Sequence, residues 1–246
     1  MVIRWTYAFI DRPAGLLGPA ARFWTAVTGT RMSEPRGERG EFATLVPADG
    51  ADPCVKVQGV GSGGGAHLDF AVEDVERFTA RATGLGARLV AGHDGWAVLA
   101  SPGGQSFCAV PWQGESVRPG VVRGGRLDQV CLDVPPSRYD AEVAFWSGLA
   151  DGWHASPGSR SEFHVVRPPA ALPVRILLQR LDDERPHSAH LDLACADVDE
   201  VRAAHERLGA VVVSRGAHWT VMRDPAGGTY CLTGRDPATG GLSGRP

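Results

Sequence analysis

The chain has 246 residues, 43% of them apolar and 22% charged, enough for a sizeable core in one large or two small domains. A net charge of −3, with every basic residue but Lys56 an arginine and none gathered into a stripe, excludes bulk electrostatic attraction to nucleic acid. No apolar run approaches the ~20 residues of a membrane span, and Met1 to Asp11 carry one arginine and no apolar block, so no signal peptide is expected. Five cysteines, an odd number without a C-x-x-C pair, argue against a disulfide framework and fit a reducing cytoplasm.

In chain order, Met1 to Ile10 reads as a first strand, and Leu16 to Thr28 as a helix with Phe23-Trp24 on its apolar face. A short strand near Met32 is weakly signalled; Glu41 to Val46 and Val55 to Gln58 are clearer strands. Gly61 to Gly65 reads as a flexible connection, with no P-loop pattern following it. A strand carrying Ala66-His67-Leu68-Asp69 follows, then a helix from about Val75 to Leu85 with Asp74 as N-cap and Gly86 at its end. Ala87 to Val90, Trp96 to Ala100 and Ser106 to Val110 close the set.

The same order then returns. Leu127 to Val134 is a strand, Asp140 to Leu149 a helix with Phe145-Trp146, and Glu162 to Val166 and Val174 to Gln179 are strands. A short strand near Trp153 matches the one near Met32. Ala189-His190-Leu191-Asp192 repeats Ala66-His67-Leu68-Asp69, and Val198 to Leu208 repeats the second helix behind Asp197 and ahead of Gly209. Trp219-x-Val221 repeats Trp96-x-Val98, and Asp224-Pro225-Ala226-Gly227-Gly228-Thr229-Tyr230-Cys231 repeats Ser101 to Cys108. These matches are collinear, so the chain is an internal duplication. Two domains are expected, 1–114 and 124–235, with a linker over 115–123 and a frayed tail over 236–246.

The A-H-L-D strand, the F-W helix and the W-x-V…D-P-x-G-x-x-[FY]-C closure resemble glyoxalase/bleomycin-resistance domains of the vicinal oxygen chelate superfamily, over nearly the whole chain. The resemblance implies an α+β fold of two tandem glyoxalase-like domains. Each would contain two βαβββ modules forming a cupped, mostly antiparallel sheet with helices on the convex face. It also implies a divalent metal held by residues on the first, fifth and last strands of a cup. At those positions stand Gln129, His190 and Thr229 in the second half, and Tyr7, His67 and Ser106 in the first. The family pattern has glutamate where Thr229 and Ser106 stand, so the acid is missing twice. One His with neutral Gln and Thr binds a divalent ion weakly in water. No cofactor is therefore favoured. If Zn, Mn, Fe or Ni binds, His190, Gln129 and Asp192 are its ligands, because an H-x-D pair on one strand shares a face.

The remaining residues leave alternatives open. His67 and His190 are structural histidines or, facing the cup beside Asp69 and Asp192, members of a His–Asp pair fit for proton transfer. His164 alternates away from Phe163 and Val165 and is the further polar candidate for the second cup. Cys108, Cys131 and Cys231 fall on the cup face; without a local basic group they read as ordinary thiols rather than nucleophiles. Trp24 and Trp146 read as core, and Trp96 and Trp219 as core or cup wall. Trp5, Trp112 and Trp153 have no repeat partner. His190, Asp192 and His164 are thus the catalytic candidates. The ligand-binding candidates are Gln129, Cys131, Thr229, Cys231, Trp219, Tyr7, His67, Asp69 and Ser106, with the second cup expected to be the more active.

The leading expectation is a cup that binds a small molecule, sequestering or processing an antibiotic or other natural product. The alternative is a lyase, isomerase or dioxygenase using His190 and Asp192, with or without a metal. A monomer or homodimer is expected, with no nucleic-acid or membrane partner.

Overall fold

A computed structural model describes residues 2–242. Its sixteen strands and four α-helices follow one order twice. In the first half β1 (Ile3–Pro13) runs through a 3-10 turn into α1 (Leu17–Thr28), followed by β2 (Thr30–Met32), β3 (Phe42–Pro47) and β4 (Val55–Val60). Then come β5 (Gly65–Val72), α2 (Val75–Gly84), β6 (Arg88–His93), β7 (Trp96–Ala100) and β8 (Ser106–Pro111). The second half repeats this with β9 (Gly125–Val134), α3 (Tyr139–Leu149), β10 (His154–Pro157), β11 (Phe163–Arg167) and β12 (Arg175–Arg180). It closes with β13 (Ser188–Cys195), α4 (Val198–Arg207), β14 (Val211–Arg215), β15 (Trp219–Arg223) and β16 (Thr229–Thr233).

Each half forms one eight-stranded sheet, ordered β2-β3-β4-β1-β5-β8-β7-β6 and β10-β11-β12-β9-β13-β16-β15-β14. The sheets are mixed: β5 pairs parallel with β8 and β13 with β16, while the outer ladders are antiparallel. That parallel pair is what each long helical crossover makes possible, since a hairpin cannot return a strand in the same direction. Both weakly signalled short strands, β2 and β10, exist as edge strands.

The helix boundaries follow local chemistry. The Asp74 carboxylate accepts the Arg77 amide, and Asp197 accepts those of Asp199 and Glu200. α1 stops at Gly29, whose φ of 64° is the left-handed C-cap conformation. α2 and α4 are followed by Gly86 and Gly209 at φ of 103° and 93°.

The chain divides into two compact units, each drawing on both halves: Met1–Ala8, His67–Ser116 and Val130–Ala189; and Phe9–Ala66, Val117–Gln129 and His190–Pro246. The core of the first is aromatic, with Trp146 against Phe107 at 5.2 Å and against Phe145 at 5.1 Å between centroids, and Phe70 against Phe78 at 5.7 Å. In the second, Trp24 packs on Tyr230 at 5.1 Å and Phe23 on His205 at 5.7 Å. Trp24 and Trp146 are fully buried, as expected of core residues.

The two tryptophans are anchored differently. Trp146 Nε1 donates to Glu142 on its own helix at 2.8 Å, and Glu142 also accepts the Gly103 amide of the turn before β8. Trp24 Nε1 donates to Asp224 in the turn before β16, at 3.0 Å. Arg12 clasps the same carboxylate at 2.6 and 3.0 Å. Ser101, the counterpart of Asp224, accepts the turn amide of Gln105.

Residues 236–242 carry a local set of hydrogen bonds. Asp236 accepts the amides of Ala238 and Thr239, and Arg118 and Arg126 both donate to the Ala238 carbonyl. The rest of the expected tail, 243–246, lies outside the described residues. The glycine connection is likewise tied down at its end: Gly65 opens β5, and its carbonyl accepts from Arg12.

Candidate functional site

Strand alternation decides which side chains leave the helix face. On β9, Val130, Leu132 and Val134 join the buried core, which turns Gln129, Cys131 and Asp133 to the other face, the cup face. On β13, Leu191 and Leu193 are core, and His190 and Asp192 face the cup. The register of β13 with β16 sets Asp192 beside Cys231, and that of β15 with β16 sets Cys231 beside Val221. Trp219, two residues from Val221, therefore stands on the cup face, not in the core. In the first half Asp69 pairs with Cys108 and Cys108 with Val98, placing Trp96 on the cup face too, where it stacks on His93 at 3.9 Å.

The second cup has a polar floor. Gln129 Nε2 donates to Asp192 Oδ2, and Asp192 Oδ1 lies 3.3 Å from His190 Nε2. The donor atoms of His190, Asp192 and Cys231 all lie within 4.8 Å of one another. Asp192, Gln129 and Cys231 are buried, and His190 is only partly open. The first cup repeats the group: His67 Nε2 is 3.6 Å from Asp69 Oδ1, and both lie with Cys108 inside the same 4.8 Å limit. Here Tyr7 takes the place of Gln129, and its hydroxyl donates to Glu115.

The residues singled out in the sequence separate into those this floor collects and those it leaves out. Gln129, His190, Asp192, Cys231 and, in the first half, His67 and Asp69 come together. Cys131 also faces the cup, with its thiol 3.7 Å from Gln179 Oε1. Thr229 and Ser106 do not join the floor: both are exposed at the start of the last strand, two residues before Cys231 and Cys108.

His164 is a correction. In the β11–β12 register it pairs with Leu178, and Val166 with Ile176, so His164 shares the face of these core residues rather than that of the cup. Its neighbours Phe163 and Val165 pair with Gln179 and Leu177 and take the cup side. Phe163 and Val165 are apolar, and alternation alone assigned them to the core. Burial holds the His164 imidazole below its ordinary pKa.

The same burial logic explains the inert thiols. Cys54 and Cys195 are pushed up to about 12 by desolvation, as expected of thiols walled into a core. None of the five cysteines is in a disulfide. Of the tryptophans that lack a counterpart in the other half, Trp5 is buried, Trp153 packs on Phe70, and Trp112 lies half open beneath the Arg4 guanidinium. A cavity of about 30 Å3 beside Val27, Cys54 and Arg126 holds water-sized space only, and is not part of the floor.

Alternation already places the cysteine of the floor on the cup face, though not beside the aspartate. It sits in both copies of the last strand two residues beyond the expected acid, as Asp69 and Asp192 sit two residues beyond each His. The expected donor set of Gln129, His190 and Thr229 does not fit a divalent ion. Thr229 is neutral and exposed, and Gln129 offers only a neutral amide oxygen, which leaves His190 as the one strong donor of that set.

Duplicated βαβββ modules in open sheets, with a polar floor on each helix-free face, define a vicinal oxygen chelate fold. The chain belongs to the glyoxalase-like domain family, whose model matches it twice, over residues 8–110 and 129–233. Solved structures similar to it in fold include dioxygenases and a synthase. A mutant of 4-hydroxymandelate synthase from Streptomyces coelicolor is 15% identical, with TM-score 0.62 over 97% of this chain and 93% of that one. The 2,2',3-trihydroxybiphenyl 1,2-dioxygenase of Sphingomonas wittichii is 16% identical, with TM-score 0.60 over 92% and 88%. A homoprotocatechuate 2,3-dioxygenase mutant from Brevibacterium fuscum is 14% identical, with TM-score 0.64 over 94% and 71%. At these identities the likeness is one of fold. No curated protein matches the sequence. No helix among the described residues is long and apolar enough to cross a membrane.

Proposed function

We propose that this protein binds a small molecule on the cup face of its second half, and that the ligand is an aromatic compound carrying a hydroxyl or carbonyl group. The observation that carries this reading is the floor itself. Gln129 fixes the Asp192 carboxylate, Asp192 lies beside the His190 imidazole, and Trp219 stands on the same face. A buried carboxylate next to an imidazole can accept a proton or hydrogen bond from a phenol or enol, and an indole offers a flat apolar surface to a ring. Sequestration or modification of a natural product suits such a site.

A second reading is supported by the His–Asp pair occurring in both halves and by the dioxygenase neighbours. In it the same floor serves a lyase, isomerase or dioxygenase, with His190 as the group that holds or moves a proton and Asp192 setting its tautomer.

The test is a binding screen of phenolic and quinonoid compounds by tryptophan fluorescence and calorimetry, run beside His190→Ala and Trp219→Ala. Saturable binding lost in both variants supports the site. Binding that both variants retain overturns it. Turnover of a bound compound, with or without oxygen uptake, selects the enzyme reading over sequestration.

A further inference from the structure

We infer that the small cavity beside Arg126 binds a monovalent anion of the halide class, and that this ion is the counter-charge of the Arg126 guanidinium. The site lies within the second compact unit and is separate from the cup floor. Its success or failure leaves the proposed function untouched.

Arg126, the second residue of β9, is only 8% exposed. Its Nη1 donates to the Ala238 carbonyl at 3.2 Å, and among the described residues its buried Nε meets no acceptor. Two acids come near it, and neither answers it. Asp128, two residues on, gives both carboxylate oxygens to Arg235, at 2.6 and 2.7 Å. Asp236 is exposed to solvent, and its Oδ1 accepts the amides of Ala238 and Thr239.

Positive charge therefore accumulates here. Arg118 donates to the same Ala238 carbonyl at 2.8 Å, so two guanidiniums converge on one neutral acceptor. Burial, and then the Arg118 charge, hold the Arg126 guanidinium below its ordinary pKa, yet a guanidinium does not lose its proton in a protein. The Cys54 thiol in the same wall is pushed up to about 12 by burial and stays neutral. A buried charge is costly unless it is paired, and the described residues supply no full partner.

The cavity is where the partner fits. Arg126 is the one ionic side chain among the described residues that line it. The Thr28 and Thr30 hydroxyls in the wall already bond to each other and to the Trp24 carbonyl, and most of the remaining wall is apolar. A volume of about 30 Å3 takes a water or a monatomic anion. It is far below the roughly 300 Å3 at which pockets for organic ligands begin. Water brings only a dipole, whereas a halide brings the missing charge. Gly120, also in the wall, is exposed and gives the ion a way in from solvent. Pro119, Gly120 and Val122 belong to the segment between the two halves, so the ion ties that segment to β9.

The test uses the full chain, exchanged into sodium gluconate and titrated at constant ionic strength with sodium chloride or sodium bromide. Thermal unfolding, followed by circular dichroism, should shift upward by roughly 3–5 °C for each tenfold rise in halide above its dissociation constant. Gluconate is too large for the cavity and should give no such shift. Chloride-35 line broadening in NMR should show a site that saturates below physiological ionic strength, about 0.15 M, and for which bromide competes. Arg126→Met should abolish both responses. Arg22→Met, at an exposed arginine of α1, should leave both unchanged. The wild-type titration decides the matter even where Arg126→Met fails to fold. Equal midpoints in chloride and gluconate mean that the cavity holds water only and overturn the inference, as does halide binding that saturates only near molar salt. A halide response that persists in folded Arg126→Met puts the ion elsewhere and overturns it too.

Discussion

Asp224 and Arg12 lie 212 positions apart in the sequence yet form a buried ion pair at 2.6 Å, with the Trp24 indole donating to the same carboxylate. Asp224 is the first residue of the turn before β16, and its other oxygen accepts the amides of Ala226 and Gly228. Every carboxylate lone pair thus has a partner, which is the condition under which a buried pair is tolerated.

Removing one member leaves the other charged and unmet. Asp224→Asn is expected to cost about 3–5 kcal/mol in urea unfolding, because the Arg12 guanidinium stays buried without its counter-charge. Gly228→Ala should also destabilise, since a methyl group there would overlap that guanidinium.

His205 sets an acid limit on stability. It is buried against Tyr230, its Nδ1 2.9 Å from the phenol oxygen, and desolvation lowers its pKa from 6.5 to about 4. Between those values the unfolded chain binds the proton and the folded one does not, so stability falls as pH drops from about 6.5 to about 4. The full loss is about 3 kcal/mol. His205→Gln should flatten this part of the stability profile measured by denaturation at a series of pH values, whatever it does to stability at neutral pH.

The helix caps offer a graded comparison. Asp197→Ala removes the acceptor for two amides and Asp74→Ala for one. Each should cost about 1 kcal/mol, the first more than the second, with additive effects in the double variant because the two helices are capped independently.

Gln129→Leu tests the floor without touching its acid or base. Asp192 would lose the donor to Oδ2, and stability should fall by about 1–3 kcal/mol for the unmet buried group. Ligand affinity should fall with it. If fluorescence titration shows unchanged affinity in the folded variant, the ligand does not depend on the orientation of Asp192.

Much of the fold could be read along the chain because duplication shows every signal twice. The A-H-L-D strands, the F-W helices and the Asp caps lie where periodicity places them, within a residue or two. His164 shows where that reading fails. Alternation says that it opposes Phe163 and Val165, but not which of the two faces meets the helices; the pairing with Leu178 decides it. Apolar neighbours suggested the core, whereas a binding face also carries apolar side chains.

The sequence by itself determined that there are two copies of one strand–helix pattern, that no orthodox acid stands on either last strand, and that each His has an Asp two residues on. These are local facts, fixed by the 3.6- and 2-residue periods of helix and strand. Only the tertiary structure decided that Cys108 and Cys231 stand beside those aspartates, since the register between β5 and β8, or β13 and β16, spans a helix and two further strands. It also decided that Asp224 answers to Arg12 and Trp24 from the other half. Contacts of that kind form where buried charges must find partners, and residues far apart in sequence come together there because water, the alternative partner, has been excluded.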